Sequence, residues 1–395
     1  MFITFQACHK SGDDIIVCFT RYSEDGLNMG IPEIIYAVFT GIQLFYILFF
    51  FSRILFRQKA PQVTEKKPVS VIICARNESE NLKNNLPKIL NQNYPSFEVI
   101  VVNDSSTDDS QEVLMHLSQW YKHLKICNIT KNEQFFIGKK FPLTIGIKAA
   151  KNEILLFTDA DCSPAGKNWI SGMQQHFTEK TSIVLGYGGF VKTKGFLDKL
   201  VRYDTMHTAM QYLGLALAGI PYMGVGRNLA YMKSVFFGNK GFASHYRIIS
   251  GDDDLFINEV IRKGNYHVEY ECESHTRSAP VPSFRSWIIR KKRHLTTGKY
   301  YRAGHAILLF TEPFTRVAMH AMIVLLFCIQ AHYLYIIVPF IVRFFAMAFV
   351  HKKAMKRLCE EDLFISSLFL DIVMPYLLFY LHVRLFLTSK PDRWK

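Results

Sequence analysis

The segment LLFTDADCSP, Leu155 to Pro164, runs an apolar stretch straight into two carboxylates, Asp159 and Asp161, one residue apart. Side chains two apart on a strand point to the same side, so both acids can serve one ligand. Carboxylates at a strand end suit Mg²⁺ or Mn²⁺, which take oxygen ligands and often use one or two carboxylates together with substrate phosphates. The other common phosphate cradle, a glycine-rich loop of the G-x-G-x-x-G or G-K-[ST] kind, is absent from the sequence. A second acidic group is Asp252-Asp253-Asp254 in SGDDDLF. Crowding raises the pKa of at least one carboxylate in such a triplet, which favours a general base that works near neutrality. The bland alternative is an acidic helix N-terminus stabilised by the macrodipole. A basic run, RSWIIRKKRH from Arg285 to His294, continues to Lys299 and Arg302 without an acid. It suits either anionic headgroups or a phosphate-bearing leaving group.

These groups need a scaffold that brings them together. VSVIICA after Pro68 and FEVIVVN before Asp104 are β-branched runs of the kind found in buried parallel strands. Each is followed by polar and acidic residues suited to opening a helix. A strand at Leu124 to Ile129, a basic loop with Gly138-Lys139-Lys140, a helix through Ala150 and the strand EILLFT complete the series. Alternation of strand and helix with short connections predicts an α/β domain with an open, mostly parallel sheet. Ligands of such sheets bind outside the carboxyl ends of the strands. Cys74 to Glu78, Asp104 and Asp159 to Asp161 therefore face one crevice.

The 395 residues are 49% hydrophobic, but that content is segregated. Residues 34–56 contain one uncharged stretch near the length needed to cross a bilayer. Residues 305–388 predict two to four further helices, and residues 68–302 contain no such run and form the soluble domain. Arg53, Arg57, Lys59, Lys66 and Lys67 follow the first span, whereas the preceding tail mixes Lys10 and Arg21 with Asp13, Asp14, Glu24 and Asp25. The positive-inside rule places the domain in the cytosol. A final crossing would set the basic tail Lys390 to Lys395 against that rule, and Asp371 and Pro375 are candidates for a broken or re-entrant helix. Residues 1–33 read as a tail, with Met29 an alternative start. The eight cysteines show no C-x-x-C pair and no metal-ligand spacing, and read as reduced. With spans present, the net charge of +14 points to membrane lipids and phosphate-bearing substrates, not to nucleic acid.

Five segments in order, VSVIICARNESENL, VVNDSSTDDS, ILLFTDADCSP, SGDDDLF and RKKRH, resemble the inverting family-2 glycosyltransferases of the GT-A fold, over roughly Pro68 to Arg302. The resemblance implies a role for each segment. Cys74, Arg76, Asn77 and Glu78 would line the nucleoside pocket, with Asp104 bonded to a uracil. Asp159 would hold the ribose and, with Asp161, the metal. Lys139, in the basic loop, joins the expected substrate-binding set. Asp253 would be the base, with Asp252 or Asp254 as fallback, and Arg293 would clamp the diphosphate. Gly224 to Ala230, including Asn228, resembles the acceptor-side loop. The family's D-D-G-S is here Asn103-Asp104-Ser105-Ser106, which leaves uracil or guanine open. Its Q-x-x-R-W is Arg290-Lys291-Lys292-Arg293-His294, with His294 at the acceptor-side tryptophan.

The function implied is a membrane-anchored, metal-dependent inverting transferase of the bacterial inner membrane. It would move sugar from a nucleotide-sugar, with a UDP-sugar expected, to a lipid-linked or saccharide hydroxyl at the cytosolic face. A processive polysaccharide synthase and a non-catalytic sugar-nucleotide-binding membrane protein are the rival readings. The helical stretch Phe196 to Leu217 is either a membrane-surface helix presenting acceptor or a core helix.

Overall fold

In the computed structural model, which describes residues 5–8, 16–19, 29–56, 65–130 and 138–387, the β-branched runs pair in register. Two short antiparallel strands, β1 (Phe5–Cys8) and β2 (Ile16–Phe19), lie within the tail. Helix α1 (Ile31–Phe45) continues through a π turn, Tyr46–Phe50, and a 3-10 turn, Phe51–Leu55. The expected strands follow as β3 (Val69–Ala75), β4 (Phe97–Asp104), β5 (Leu124–Ile129) and β6 (Ile154–Asp159), all parallel. Helices α2 (Ser79–Leu90), α3 (Ser110–Trp120) and α4 (Lys140–Ala149) connect them.

Side-chain alternation explains why these strands are almost wholly apolar. Val71, Ile73, Val99 and Val101 enter one core, and Ile72, Ile100 and Val102 enter the core on the opposite face. With both faces covered, the central positions of β3, β4 and β6 are all buried. Past β6 come β7 (Cys162–Pro164), α5 (Trp169–Gln174), β8 (Ile183–Leu185), β9 (Gly188–Phe190) and the long α6 (Phe196–Leu217). Then follow β10 (Leu229–Met232), α7 (Lys233–Gly238), α8 (Asp254–Val260), β11 (Tyr266–Val268), β12 (Thr276–Ser278) and α9 (Phe284–Leu295). The seven-stranded sheet has the order β11-β8-β10-β6-β3-β4-β5, with β10 antiparallel to both neighbours. A small sheet, β7-β12-β9, stands beside it. Of the two readings of Phe196 to Leu217 the core helix is observed: Val201, Tyr203, Met206, Met210, Tyr212 and Leu213 are buried.

The C-terminal region forms three helices, α10 (Ala303–Cys328), α11 (Tyr333–Leu358) and α12 (Phe364–Leu387). With the segment Ile31–Leu55, four helices among the described residues are long and apolar enough to cross a membrane. The break suggested by Asp371 and Pro375 does not occur, since α12 runs unbroken through both. Asp371 is accommodated by ion pairs to Arg316 and Arg343. Arg316 also pairs with Glu312 and reaches His207 on α6, while Gln43 on α1 donates to the Glu312 carbonyl at 2.8 Å. One buried polar cluster thus ties α1, α6, α10, α11 and α12 together. Cys272 and Cys359 are joined as a disulfide, contrary to the expectation of eight reduced cysteines. The pair is separated by 87 residues and is created by the fold, so no local spacing could signal it. Arg57, Lys59, the charges of the N-terminal tail, residues 131–137 of the basic loop and the tail Lys390 to Lys395 lie outside the described residues.

Candidate active site

The carboxyl ends of β3, β4 and β6 open into one cavity of about 780 Å³. Cys74, Arg76, Asn77, Glu78, Asp104, Lys139, Asp159 and Asp161 line it from the first half of the domain, and Asp252, Asp253, Arg293 and His294 from the second. Asn228 does not line it. That side chain is wholly buried, donating to the carbonyls of Tyr187 and Ser274 and accepting from Trp169 Nε1, so it braces the fold behind the site. Its place in the Gly224 to Ala230 loop made it an expected acceptor contact, and its burial puts it behind the wall instead.

The loops after β3 and β4 hold each other. Asn77 adopts a left-handed φ of 55° and accepts from Thr107 N at 2.8 Å, while Glu78 N donates to Ser110 Oγ and Ser79 N to Asp108 Oδ2, both at 3.0 Å. Asn103, where the family has its first acid, is buried and bonded to Gln111 and Asn128, so Asp104 alone faces the cavity. Burial pushes the Asp104 carboxyl up, opposed by nearby Arg76. Ser105, at the family's glycine position, has φ 54°, the conformation glycine would favour. Its hydroxyl bonds the Ile129 carbonyl at 3.1 Å.

Asp159 ends β6 and is ion-paired with Lys139 at the start of α4. Burial alone would raise Asp159, but the Lys139 ammonium outweighs it and holds the carboxyl below the usual range. Asp161 is raised instead, first by burial and then by repulsion from Asp159, while Arg290 Nη2 stands 3.9 Å away. Asp159, Asp161 and Cys162 form a group whose donor atoms lie within 4.8 Å of one another. The Cys162 thiol is fully buried against Ser278 Oγ at 3.0 Å, which leaves an oxygen-only donor pair. A hard divalent cation fits that pair, and the ammonium already drawn to Asp159 shows that positive charge is favoured there.

Asp253 sits at the N-terminus of α8. Gly226 N donates to one of its oxygens at 2.7 Å and Asp254 N to the other at 2.8 Å. Burial, with repulsion from Asp252 and Asp254, nevertheless pushes it up to about 7. Asp254, the neighbouring fallback, is the more heavily engaged of the two, accepting from the Thr297 and Tyr301 hydroxyls and from Leu255 N.

Arg227 and Arg290 also line the cavity, their guanidinium carbons 4.7 Å and 5.3 Å from the Phe190 ring. Sequence reasoning gave no role to Arg227, within the loop resembling the acceptor-side loop, or to Arg290, at the glutamine position of Q-x-x-R-W. An arginine following Gly224-Val-Gly226 was the available signal. Helix α9 is latched by Asp204, which accepts from Trp287 Nε1 at 3.2 Å and Lys291 Nζ at 2.6 Å. Arg290, Arg293 and His294 are thereby held over the same opening.

Residues 70–236 match the model of glycosyl transferase family 2. The chain therefore carries a family-2 glycosyltransferase domain over those residues. Among its relatives, the glycosyltransferase AglE of Haloferax volcanii is 38% identical over 98 residues, covering 24% of this chain and 31% of that protein. The probable glycosyltransferase YdaM of Bacillus subtilis is 26% identical over 247 residues, covering 60% of this chain and 56% of that one. The matches thus span about a third to just over half of those relatives' lengths. Mannosyltransferase PcManGT of Pyrobaculum calidifontis, in complex with GDP-Man and Mn²⁺, superimposes with a TM-score of 0.56 at 17% identity, covering 87% of this chain and 99% of that one. That likeness is one of fold. In this chain the GT-A domain carries the strand-end acids, and residues of the helices flanking it join the cavity wall. Leu309 and Pro313 of α10 and Leu378 and His382 of α12 are among its lining residues.

Proposed function

We propose that this protein is a metal-dependent inverting glycosyltransferase, taking a sugar from a nucleoside diphosphate sugar to an acceptor hydroxyl presented at the membrane. The observation that carries the reading is Asp253. It is a carboxylate lifted to about 7 and fixed by two backbone donors, in the same cavity as the Asp159 and Asp161 pair. A group of that basicity takes a proton from a hydroxyl as attack proceeds and is half-ionised near neutral pH.

The loop pair around Asn77 and Asp104 would seat the nucleoside, with uridine expected. Asp161, with Asp159, would hold Mg²⁺ or Mn²⁺, whose charge supplies electrostatic stabilisation to the diphosphate oxygens. The acceptor oxygen attacks the anomeric carbon on the face opposite the diphosphate, Asp253 receives the hydroxyl proton, and the glycosidic bond to the nucleoside diphosphate breaks. Arg290 and Arg293, with Arg227, offset charge as it builds on the leaving oxygen. Lys139 keeps Asp159 ionised throughout.

A lipid-linked acceptor is favoured by the cavity's reach from Asp253 to α10 and α12, which gives an amphiphile a route from the bilayer to the base. With Arg53, Lys66 and Lys67 after the first span, the domain is read as cytosolic and the membrane as the bacterial inner membrane. The test is nucleoside diphosphate release by the detergent-purified protein across UDP-, GDP- and dTDP-sugars, with Mn²⁺, Mg²⁺ or EDTA and a bacterial lipid extract. The expected result is release from one donor that needs metal and is increased by the extract. Metal-independent release, or donor binding with no release under any condition, would overturn the proposal.

A further inference from the structure

Away from the catalytic cavity, the 3-10 turn Cys272–Ser274 meets the end of α11. Cys359 caps that helix in a left-handed conformation, φ 55°, and is joined to Cys272 with the Cα atoms 6.2 Å apart. His275 belongs to the same cluster, since the two sulfurs and a ring nitrogen lie within 4.8 Å of one another. The His275 ring is fully buried, with Nε2 3.0 Å from the Tyr270 carbonyl and Nδ1 without a hydrogen-bond partner. A buried ring nitrogen without a partner calls for an explanation. An imidazole that donates one N–H to a backbone carbonyl presents a lone pair at the other nitrogen, the arrangement usual for a metal-ligating histidine.

The donor set is two sulfurs and one imidazole, with Cys272-x-x-His275 supplying two ligands from one turn. Thiolate and imidazole together select zinc-like ions over Mg²⁺ or Mn²⁺, which distinguishes this cluster from the carboxylate pair at Asp159 and Asp161. The last turns of α11 before Cys359 carry Lys352, Lys353, Lys356 and Arg357. Basic helix ends of this kind face the cytosol, where thiols are kept reduced.

We propose that Cys272, His275 and Cys359 form a binding site for a soft divalent cation, Zn²⁺, with water in the remaining position, and that the disulfide is the oxidised, metal-free form of the same cluster. Opening the disulfide takes two electrons and two protons from a cellular thiol reductant, which is itself oxidised to a disulfide. The cation then displaces both thiol protons to solvent. Glu360, the next residue, already receives Arg202 and Arg277 from the catalytic domain. The bound ion staples the same domain to the end of the same membrane helix, independently of glycosyl transfer.

The experiment is elemental analysis of the full-length protein, purified in detergent with a thiol reductant and without chelator, before and after disulfide-forming oxidation. Reduced protein should carry about one zinc per chain, lose it on oxidation, and fall to background in Cys272→Ser and His275→Ala, while Asp161→Asn retains it. Zinc absent from reduced wild type, or unchanged in both variants, overturns the site. If the variants do not fold, Co²⁺ titration of reduced wild type replaces them: a thiolate-to-cobalt charge-transfer band supports the site, and its absence refutes it.

Discussion

Asp253 accepts from two backbone N–H groups, which should lower its pKa, yet it is lifted to about 7 because burial and two neighbouring carboxylates outweigh them. Transfer should therefore rise about tenfold per pH unit below 7 and level off above it, the behaviour of a single essential base. Asp253→Asn should remove that profile and lower kcat by about 10²–10⁴-fold while leaving the donor dissociation constant unchanged; retention of normal turnover would reject the base assignment. The sign for stability is opposite. A carboxyl raised on folding contributes stability below its unfolded value near 4, and this is lost as pH climbs through about 7, so the unfolding midpoint should fall more between pH 4 and pH 8 in wild type than in Asp253→Asn. Ser105 gives a second test. Its left-handed backbone is strained for any residue with a Cβ, and its hydroxyl bond compensates; Ser105→Ala keeps the strain and loses the bond, costing about 1 kcal/mol in a denaturant titration. At this scale, residues at strand ends were legible because strand geometry fixes where such side chains point. Asn228 and Arg227 were not, since neighbouring positions in one loop went to opposite sides of the wall and nothing in the local pattern marks which faces inward.

Helices α6 and α9 act as a unit through Asp204. Trp287 and Lys291 both bond that carboxylate, and the next turn of α9 brings Arg293 and His294 to the cavity. Asp204→Ala should loosen α9 without touching the carboxylate pair or the base, raising KM for the donor about tenfold, a loss near 1.4 kcal/mol, with a smaller change in kcat. Equal kcat and KM to wild type would show that α9 needs no latch. The parallel strands and their helices could be read in advance because each obeys one periodicity. Helix α6 could not be assigned between membrane surface and core, because it is buried around most of its circumference and so lacks a polar face to orient it. The antiparallel β10 was equally silent, its four residues being too few to carry a pattern.

For the molecule as a whole, the Arg316, Arg343, Asp371 and Glu312 cluster joins the first apolar segment to the last three helices and to α6 of the catalytic domain. Asp371→Ala leaves two arginines beside an unfilled position in an apolar setting. The expected cost is about 3–5 kcal/mol, seen as a lower unfolding midpoint in detergent; an unchanged midpoint would mean the cluster is hydrated enough to do without its centre. The hydrophobic runs forecast the helices but not this cluster, whose members come from sites up to about 300 residues apart, as with Arg343 and Gln43. The cavity lined by Asp104 and Asp253 and also by Leu309 and Leu378 has a kinetic consequence. If the acceptor is lipid-linked, as proposed, it is drawn from a two-dimensional solution, so the velocity should follow its mole fraction in the micelle or bilayer, and added inert detergent should slow the reaction even at constant total acceptor.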